Sequence, residues 1–386
     1  MKGKFPLDQF SSLCTPFYYY DTGLLQKTLD AIKQQLKGQE QFRVHYAMKA
    51  NVNPKLLSII KDNGFGADCV SGGEISAAIL AGFSPQEIVF AGVGKADWEI
   101  ELGLDLNIFC FNVESIAELR VIDEIAQVMG KVARVCLRIN PNVKANTHAN
   151  IATGQAENKF GIALQDLDKV LGVLTELKSI EFIGLHFHIG SQILDMSDFR
   201  ALCMRINEIM DALESRGIRI PNLNVGGGLG IDYDHPNRQS IPDFEAYFDV
   251  YDTHLRLRPY QTLHFELGRS IVGQCGTLIS KVLYVKEGVN KEFAILDAGM
   301  NDLIRPALYQ AAHKIENITS QEALSSYDVV GPVCESSDVF GKSVDLNRVS
   351  RGDLIAIRSA GAYGEVMASQ YNCRPLANSY FSDEFI

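Results

Sequence analysis

Eight short apolar or alternating runs recur after residue 20, most of them followed by a stretch with helical spacing, and this rhythm leaves few folds open. The runs are RVHYAM (43–48), GADCV (66–70), EIVFAG (87–92), NIFCFN (107–112), ARVCLRIN (133–140), FIGLHFHIG (182–190), NLNVGGG (222–228) and TLHFELG (262–268). Residues 54–62, 73–81, 113–128, 163–177 and 196–216 carry apolar positions three and four apart, and a similar helix over 22–36 precedes the first run. Strands alternating with helices predict βα units around a parallel sheet. Eight such units within roughly 250 residues match the size of a closed (β/α)8 TIM barrel, with an open doubly wound sheet as the alternative.

Beyond about residue 272 the texture changes. GTLISKVLYVKE, FAILDAG, YDVVGPVCES and GDLIAIRSAGAYG are strand-like pieces separated by Gly, Asn and Asp turn signals, which predicts an antiparallel β domain built as a Greek-key barrel or sandwich. The aromatic strand PFYYYD (16–21) precedes the first barrel helix and is expected to pair with that domain. The expected division is therefore a cofactor-binding barrel over 22–271 and a β domain made of 1–21 with 272–386. The connection 142–158, rich in Asn, Ala, Thr and Gly, is long enough for an active-site segment.

Composition removes several function classes. The net charge of −11, without a run of five basic residues, lacks the footprint of a nucleic-acid binder. No window approaches the ~20 apolar residues of a membrane span, and the N-terminus lacks the apolar core of a signal peptide, so a soluble, cytoplasmic protein is expected. Eight cysteines without a CxxC or a Cys/His zinc spacing read as reduced and mostly buried thiols.

In a parallel barrel, chemistry gathers at the carboxyl ends of the strands. Lys49 follows the first run, Asp68 lies in the second, His188 closes the sixth, Gly226, Gly227 and Gly228 end the seventh, and Glu266 with Gly268 and Arg269 ends the eighth. A glycine run there is either a tight turn or a phosphate site, because backbone N–H groups unhindered by Cβ can face an anion. A phosphate site beside a lysine suggests pyridoxal 5'-phosphate, whose aldehyde needs the Lys49 amine and whose ring nitrogen needs a carboxylate such as Glu266. Asp68 either takes part or caps the next helix. His186 and His188, two apart, would suit a metal pair, but no third ligand is obvious and no metal is expected; His188 is better used as a flat ring stacked on the cofactor.

YAMKAN (46–51), GADCVSGGE (66–74), FNVES (111–115), NKFGI (158–162), HFHIGSQ (186–192), NVGGGLG (224–230), ELGRS (266–270), GPVCESSDVF (331–340) and GAYGEVMASQYN (361–372) make the chain resemble, over nearly its whole length, the alanine-racemase-like (fold type III) pyridoxal-phosphate decarboxylases, and among them the diaminopimelate decarboxylase family. The resemblance implies that Lys49 holds the cofactor, His188 stacks on its ring, Glu266 pairs with its nitrogen, and Ser191, Gly228, Gly268, Arg269 and Tyr363 surround its phosphate. It also implies a homodimer with shared active sites, in which Cys334 acts in trans as proton donor; from the residues alone, Cys334 reads equally as a buried thiol. Leu267 stands where the family usually has proline.

The implied reaction is decarboxylation of meso-2,6-diaminopimelate to L-lysine and carbon dioxide, the last step of lysine biosynthesis, by a carboxy-lyase. Arg269, Arg305, Tyr309 and Tyr363 suit the distal carboxylate, since guanidinium binds carboxylate bidentately, and Glu335 suits the distal ammonium. Arg305 also reads as a surface arginine and Tyr309 as a packing residue. Rival readings are a relative acting on carboxynorspermidine, ornithine or arginine, and an inactive, cofactor-binding regulatory homologue.

Overall fold

A computed structural model describes residues 5–143 and 159–385. From residue 144 to 158 the connection singled out above lies outside the described residues. The chain divides into two compact units, one of Leu29–Gly230 with Asp243–Gly268, the other of Met1–Thr28, Ile231–Pro242 and Arg269–Ile386. Strand β1 (Phe17–Tyr20) belongs to the second unit and leads into the helix Thr22–Leu36.

The first unit is a closed barrel. Its strands are β2 (Phe42–Ala47), β3 (Gly66–Cys69), β4 (Ile88–Phe90), β5 (Cys110–Val113), β6 (Ala133–Asn140), the two-residue β7 (Ile162–Ala163), β8 (Ile180–His186), β9 (Asn222–Asn224) and β10 (Thr262–Leu267). Among the described residues they run in the order β5-β4-β3-β2-β10-β9-β8-β6, and a β5–β6 pairing closes the ring while β7 extends the end of β6. Every pairing is parallel. All eight expected runs thus contribute a strand.

Helix starts follow from local chemistry. Ser71 and Ser115 accept the N–H groups of Glu74 and Glu118, and Asn53 ahead of Pro54 accepts that of Lys55, so donors left over at each helix start are satisfied by side chains. Ser71, and not Asp68, therefore caps the helix Gly72–Leu80. Outside the barrel wall, Phe265 packs against Phe42, Phe248 and Tyr251 with ring centroids 4.9–5.3 Å apart, and burial of each such side chain stabilises by roughly 1.5–3 kcal/mol. Period-two alternation sends the neighbours of Phe265, namely His264 and Glu266, to the other face, the barrel interior.

The second unit is a β sheet built around the long strand β11 (Gly276–Glu287). Its other members are β12 (Glu292–Leu296), β13 (Ile315–Asn317), β14 (Leu324–Val330), β15 (Val339–Asn347), β16 (Leu354–Ile357) and β17 (Asn378–Phe381), in the order β13-β16-β11-β12-β14-β15 with β1 joined to β11 and β17. β1 pairs antiparallel with β11, Phe17 opposite Ile279, as expected for the aromatic N-terminal strand. Two pairs, β12–β14 and β1–β17, are parallel within a sheet expected to be antiparallel. The reason is connection length: residues 297–323 separate β12 from β14, enough for a crossover, and no hairpin constrains strands from opposite ends of the chain. Phe10, Phe17, Tyr19, Ile279, Ile318, Leu354 and Ala356 form a core cluster of this unit. All eight cysteines are free, and Cys110 and Cys136 are buried. Among the described residues no helix is long and apolar enough to cross a membrane.

Candidate active site

The barrel unit brings together Lys49, Asp68, His188 and Glu266. Lys49 sits in the single turn Met48–Ala50 that closes β2, where the strand register sets Ala47 beside Asp68. Its ammonium acts electrostatically on Asp68, Glu74, His188 and Glu266 alike. The half-buried lysine that ends this strand therefore lies in the field of three carboxyl groups, Asp68, Glu74 and Glu266.

Glu266 is the most constrained group. Its Oε1 accepts from Asn224 Nδ2 at 2.7 Å and Asn112 Nδ2 at 3.3 Å, and its Oε2 lies 3.2 Å from His186 Nε2. Burial pushes the carboxyl up, but His186, with Lys49 behind it, overrides this and holds Glu266 well below the usual carboxylate range. A carboxylate offers about four lone-pair sites. Three donors leave one for a further N–H.

Asp68 has the opposite fate. It is 1% exposed, its Oδ1 has no hydrogen-bond partner, and burial together with the Glu266 charge pushes it well above the usual range, against the pull of Lys49. Two carboxyl groups in one field are thus driven apart, one to the anion and one toward the acid. The orphaned Asp68 oxygen is a buried polar atom that requires a partner, and a bound polar group would supply it.

β8 ends at His186, so His188 stands in the following turn and not on the strand. The N–H of Gly227 points at His188 Nδ1, 3.4 Å away. Burial, reinforced by Arg138 and Lys49, lowers the imidazole well below its ordinary value, leaving a neutral flat ring. The glycines are required by geometry. Gly226 and Gly228 have φ of 68° and 106°, and a Cβ on Gly227 would lie 1.8 Å from the Glu266 carbonyl oxygen. Ile193 N–H donates to Gly228 O, tying the segment that carries Ser191 to this glycine run. Gly268 is also closely approached, since its Cβ would meet those of Ala47 and Ala50 at 3.0 Å.

In the second unit Arg269 and Arg305 lie among Tyr233, Tyr309 and Tyr363. Arg269 Nη1 donates to Tyr233 Oη at 2.6 Å, and its guanidinium carbon is 4.9 Å from the Tyr363 ring. Arg305 lies 5.6–6.0 Å from all three rings. It is 7% exposed, not a surface arginine; burial and the Arg269 charge lower its pKa, and its Nε has no hydrogen-bond partner. Among the described residues no carboxylate forms an ion pair with Arg305, although a buried guanidinium needs an anion.

Cys334 and Glu335 lie on an exposed loop. The Cys334 N–H donates to Asn372 Oδ1 at 3.2 Å, and Glu335 Oε1 accepts from Tyr371 Oη at 2.6 Å. Asp338, buried, anchors this loop by accepting the N–H groups of Val333 and Met300, each at 2.7 Å. The sequence reading missed Asn112, Asn224, Tyr233 and Asp338, and treated His186 only as a core or metal histidine. A polar residue in an apolar strand was the available signal for the two asparagines.

A barrel with a lysine at the end of its first strand, a pinned anion at the end of its last and a glycine turn between them has the donor set of a pyridoxal-phosphate enzyme. Residues 22–273 match the family "Pyridoxal-dependent decarboxylase, pyridoxal binding domain". The chain is 68% identical over 386 residues to the diaminopimelate decarboxylase of Bacteroides thetaiotaomicron, covering all of both chains. It is also similar to the solved structure of the Helicobacter pylori diaminopimelate decarboxylase complexed with L-lysine, with a TM-score of 0.90, 42% identity and coverage of 98% of this chain and 94% of that one. For the M. jannaschii diaminopimelate decarboxylase in co-complex with L-lysine the TM-score is 0.89, with 35% identity and coverage of 98% and 89%. The chain belongs to the diaminopimelate decarboxylase family of fold type III pyridoxal-phosphate enzymes.

Proposed function

We propose that this chain decarboxylates meso-2,6-diaminopimelate to L-lysine and carbon dioxide, the closing step of lysine biosynthesis. The buried Arg305, lacking any carboxylate partner among the described residues, carries this choice of substrate: it calls for an acid at the far end of the amino acid, which ornithine and arginine do not have. Full-length identity to a diaminopimelate decarboxylase supports the same reading.

The residues present fit pyridoxal phosphate. Lys49 would hold its aldehyde, Glu266 its ring nitrogen, His188 the face of its ring, Asp68 the polar group that its free oxygen lacks, and Ser191, Gly226, Gly227, Gly228, Gly268, Arg269 and Tyr363 its phosphate. When bound, this cofactor supplies the electron sink into which the bond to an α-carboxylate can break. Glu266, held as an anion by its three donors, would keep a proton on the ring nitrogen of the bound cofactor. Lys49 would release the cofactor's aldehyde to the amine of the incoming substrate, its own amine becoming free, and would take the aldehyde back when the product amine leaves. Arg305 and Tyr309, with Arg269 and Tyr363, hold the distal carboxylate, and Glu335 holds the distal ammonium.

Cys334 delivers a proton to the carbon from which the carboxylate has left. Its exposed loop supports a role across a homodimer, each subunit completing the other's site. The proposal includes a cytoplasmic location, in keeping with eight free thiols. Purified protein with the cofactor should release carbon dioxide from meso-diaminopimelate and not from ornithine, arginine or carboxynorspermidine; release from one of these in its place would overturn the assignment.

A further inference from the structure

The barrel interior holds a second polar group that the reaction above does not use. At the amino-terminal ends of the strands, a cavity of about 790 Å³ is lined by Phe42, Arg43, Glu87, Phe109, Asn222 and Thr262, among others, and at its inner wall lie His45 and His264, each 4% exposed. The two rings are part of one chain of contacts. His45 Nδ1 lies 3.0 Å from the Glu87 carbonyl oxygen, His45 Nε2 lies 2.9 Å from His264 Nδ1, and His264 Nε2 lies 3.2 Å from Asn222 Oδ1.

Both ends of this chain are acceptors, and a neutral imidazole carries one N–H. Two neutral rings therefore bring two protons to three contacts. If His45 donates to Glu87 and His264 to His45, two lone pairs meet between His264 and Asn222. If the protons are shifted the other way, lone pairs meet at Glu87 or between the rings. Turning the Asn222 amide does not help, because its Nδ2 donates to the Ile183 carbonyl at 2.9 Å and the turned oxygen would oppose that carbonyl. One added proton closes all three contacts.

We propose that His45 and His264 share one added proton at neutral pH, as a buried imidazole–imidazolium pair in the floor of the barrel. The groups that face it pull in both directions. Burial works against the cation, as do the Arg43 guanidinium and, for His264, a charge on His45; together they lower His45 and take His264 well below its ordinary value. Glu266, whose backbone is in register with His45 on the neighbouring strand, works for it, as does the Glu87 carbonyl at His45; Glu40 and Glu87 are among the residues of the cavity wall. The Phe109 ring, 5.1 Å from His264, offers a π surface to the charge. The proton count decides, because the cation is spread over two rings and held between two acceptors, so that it is not buried alone. The pair is thus a positioning element: a cation under Glu266 that helps keep that carboxylate ionised, with the cavity as its path to solvent protons.

The test is a count of ring N–H groups in the holoenzyme labelled with 15N-histidine, using 15N shifts and one-bond N–H couplings, with His45→Gln to assign the signals. Three of the four ring nitrogens of the pair should be protonated at pH 7, and the third proton should leave with a midpoint above the ordinary value of about 6.5. Asn222→Ala removes one terminal acceptor and should return the count to two, lowering the midpoint by about one pH unit or more. Two protonated nitrogens in the parent at pH 7, or three persisting in Asn222→Ala, would overturn the proposal. The parent measurement stands by itself should the variant not fold.

Discussion

Glu266→Gln tests the electrostatic design of the barrel mouth. The variant keeps the shape, and its amide oxygen can still accept from Asn224 and Asn112, which donate to Oε1 in the parent. Its amide nitrogen then faces His186 where Oε2 accepted, so the packing survives with the charge removed. What is lost is the buried anion proposed to pair with the cofactor's ring nitrogen. Taking one partner from a buried charge pair costs about 3–5 kcal/mol, which at about 1.4 kcal/mol per decade predicts a fall in kcat on the order of 10² to a few times 10³. Steady-state carbon dioxide release from meso-diaminopimelate measures the fall, and absorbance of the bound cofactor, checked in the same samples, shows that loading is intact. Glu266→Asp, which keeps the charge but shortens its reach, should lie between. A fully loaded Glu266→Gln enzyme within about fivefold of the parent would refute the role given to this carboxylate.

Three further outcomes are expected. Cys334→Ala should lower turnover far more than cofactor binding, since the role proposed for this exposed thiol is proton delivery; equal activity would remove it from the mechanism. Arg305→Lys replaces a fork by a point charge and should cost about 1.5–3 kcal/mol in kcat/KM, roughly 10–150-fold, mostly through KM and with cofactor absorbance unchanged. His313 is buried, donates to the Arg358 carbonyl and is held down to about 3, chiefly by burial. Because its folded value lies below the unfolded ~6.5, the unfolded chain takes up the proton first as pH falls. The stability contribution is therefore complete above about pH 6.5 and drains away at up to about 1.4 kcal/mol per unit toward pH 3. Denaturant titrations between pH 6.5 and 4.5 should show a shallower pH dependence in His313→Gln, and identical slopes would rule this out.

Much of the fold is legible because each barrel strand is a short apolar run bounded by turn residues and followed by a spaced helix. Asp97–Leu106 and Phe244–His254 escape the same reading: the first mixes glycine and carboxylates into its apolar face, and the second is crowded with Phe and Tyr, which favour strands. The parallel pairs in the β unit are invisible for another reason, since nothing local in β12 or β14 records which neighbour it takes. Within the candidate site, Lys49 and Glu266 stand out because charges at strand ends are costly. Their surroundings do not: the three groups on Glu266 come from β5, β8 and β9, and only strand register brings them together. Tyr233 and Arg269 are likewise distant in sequence and joined only by the fold.

Borohydride reduction of the loaded enzyme followed by peptide mass mapping tests directly the proposed role of the Lys49 amine as the covalent anchor of the cofactor. The cofactor's mass is expected on the peptide spanning HYAMKAN, at Lys49, with no fixation in Lys49→Ala. Label on another lysine, or no stable label at all, would contradict it.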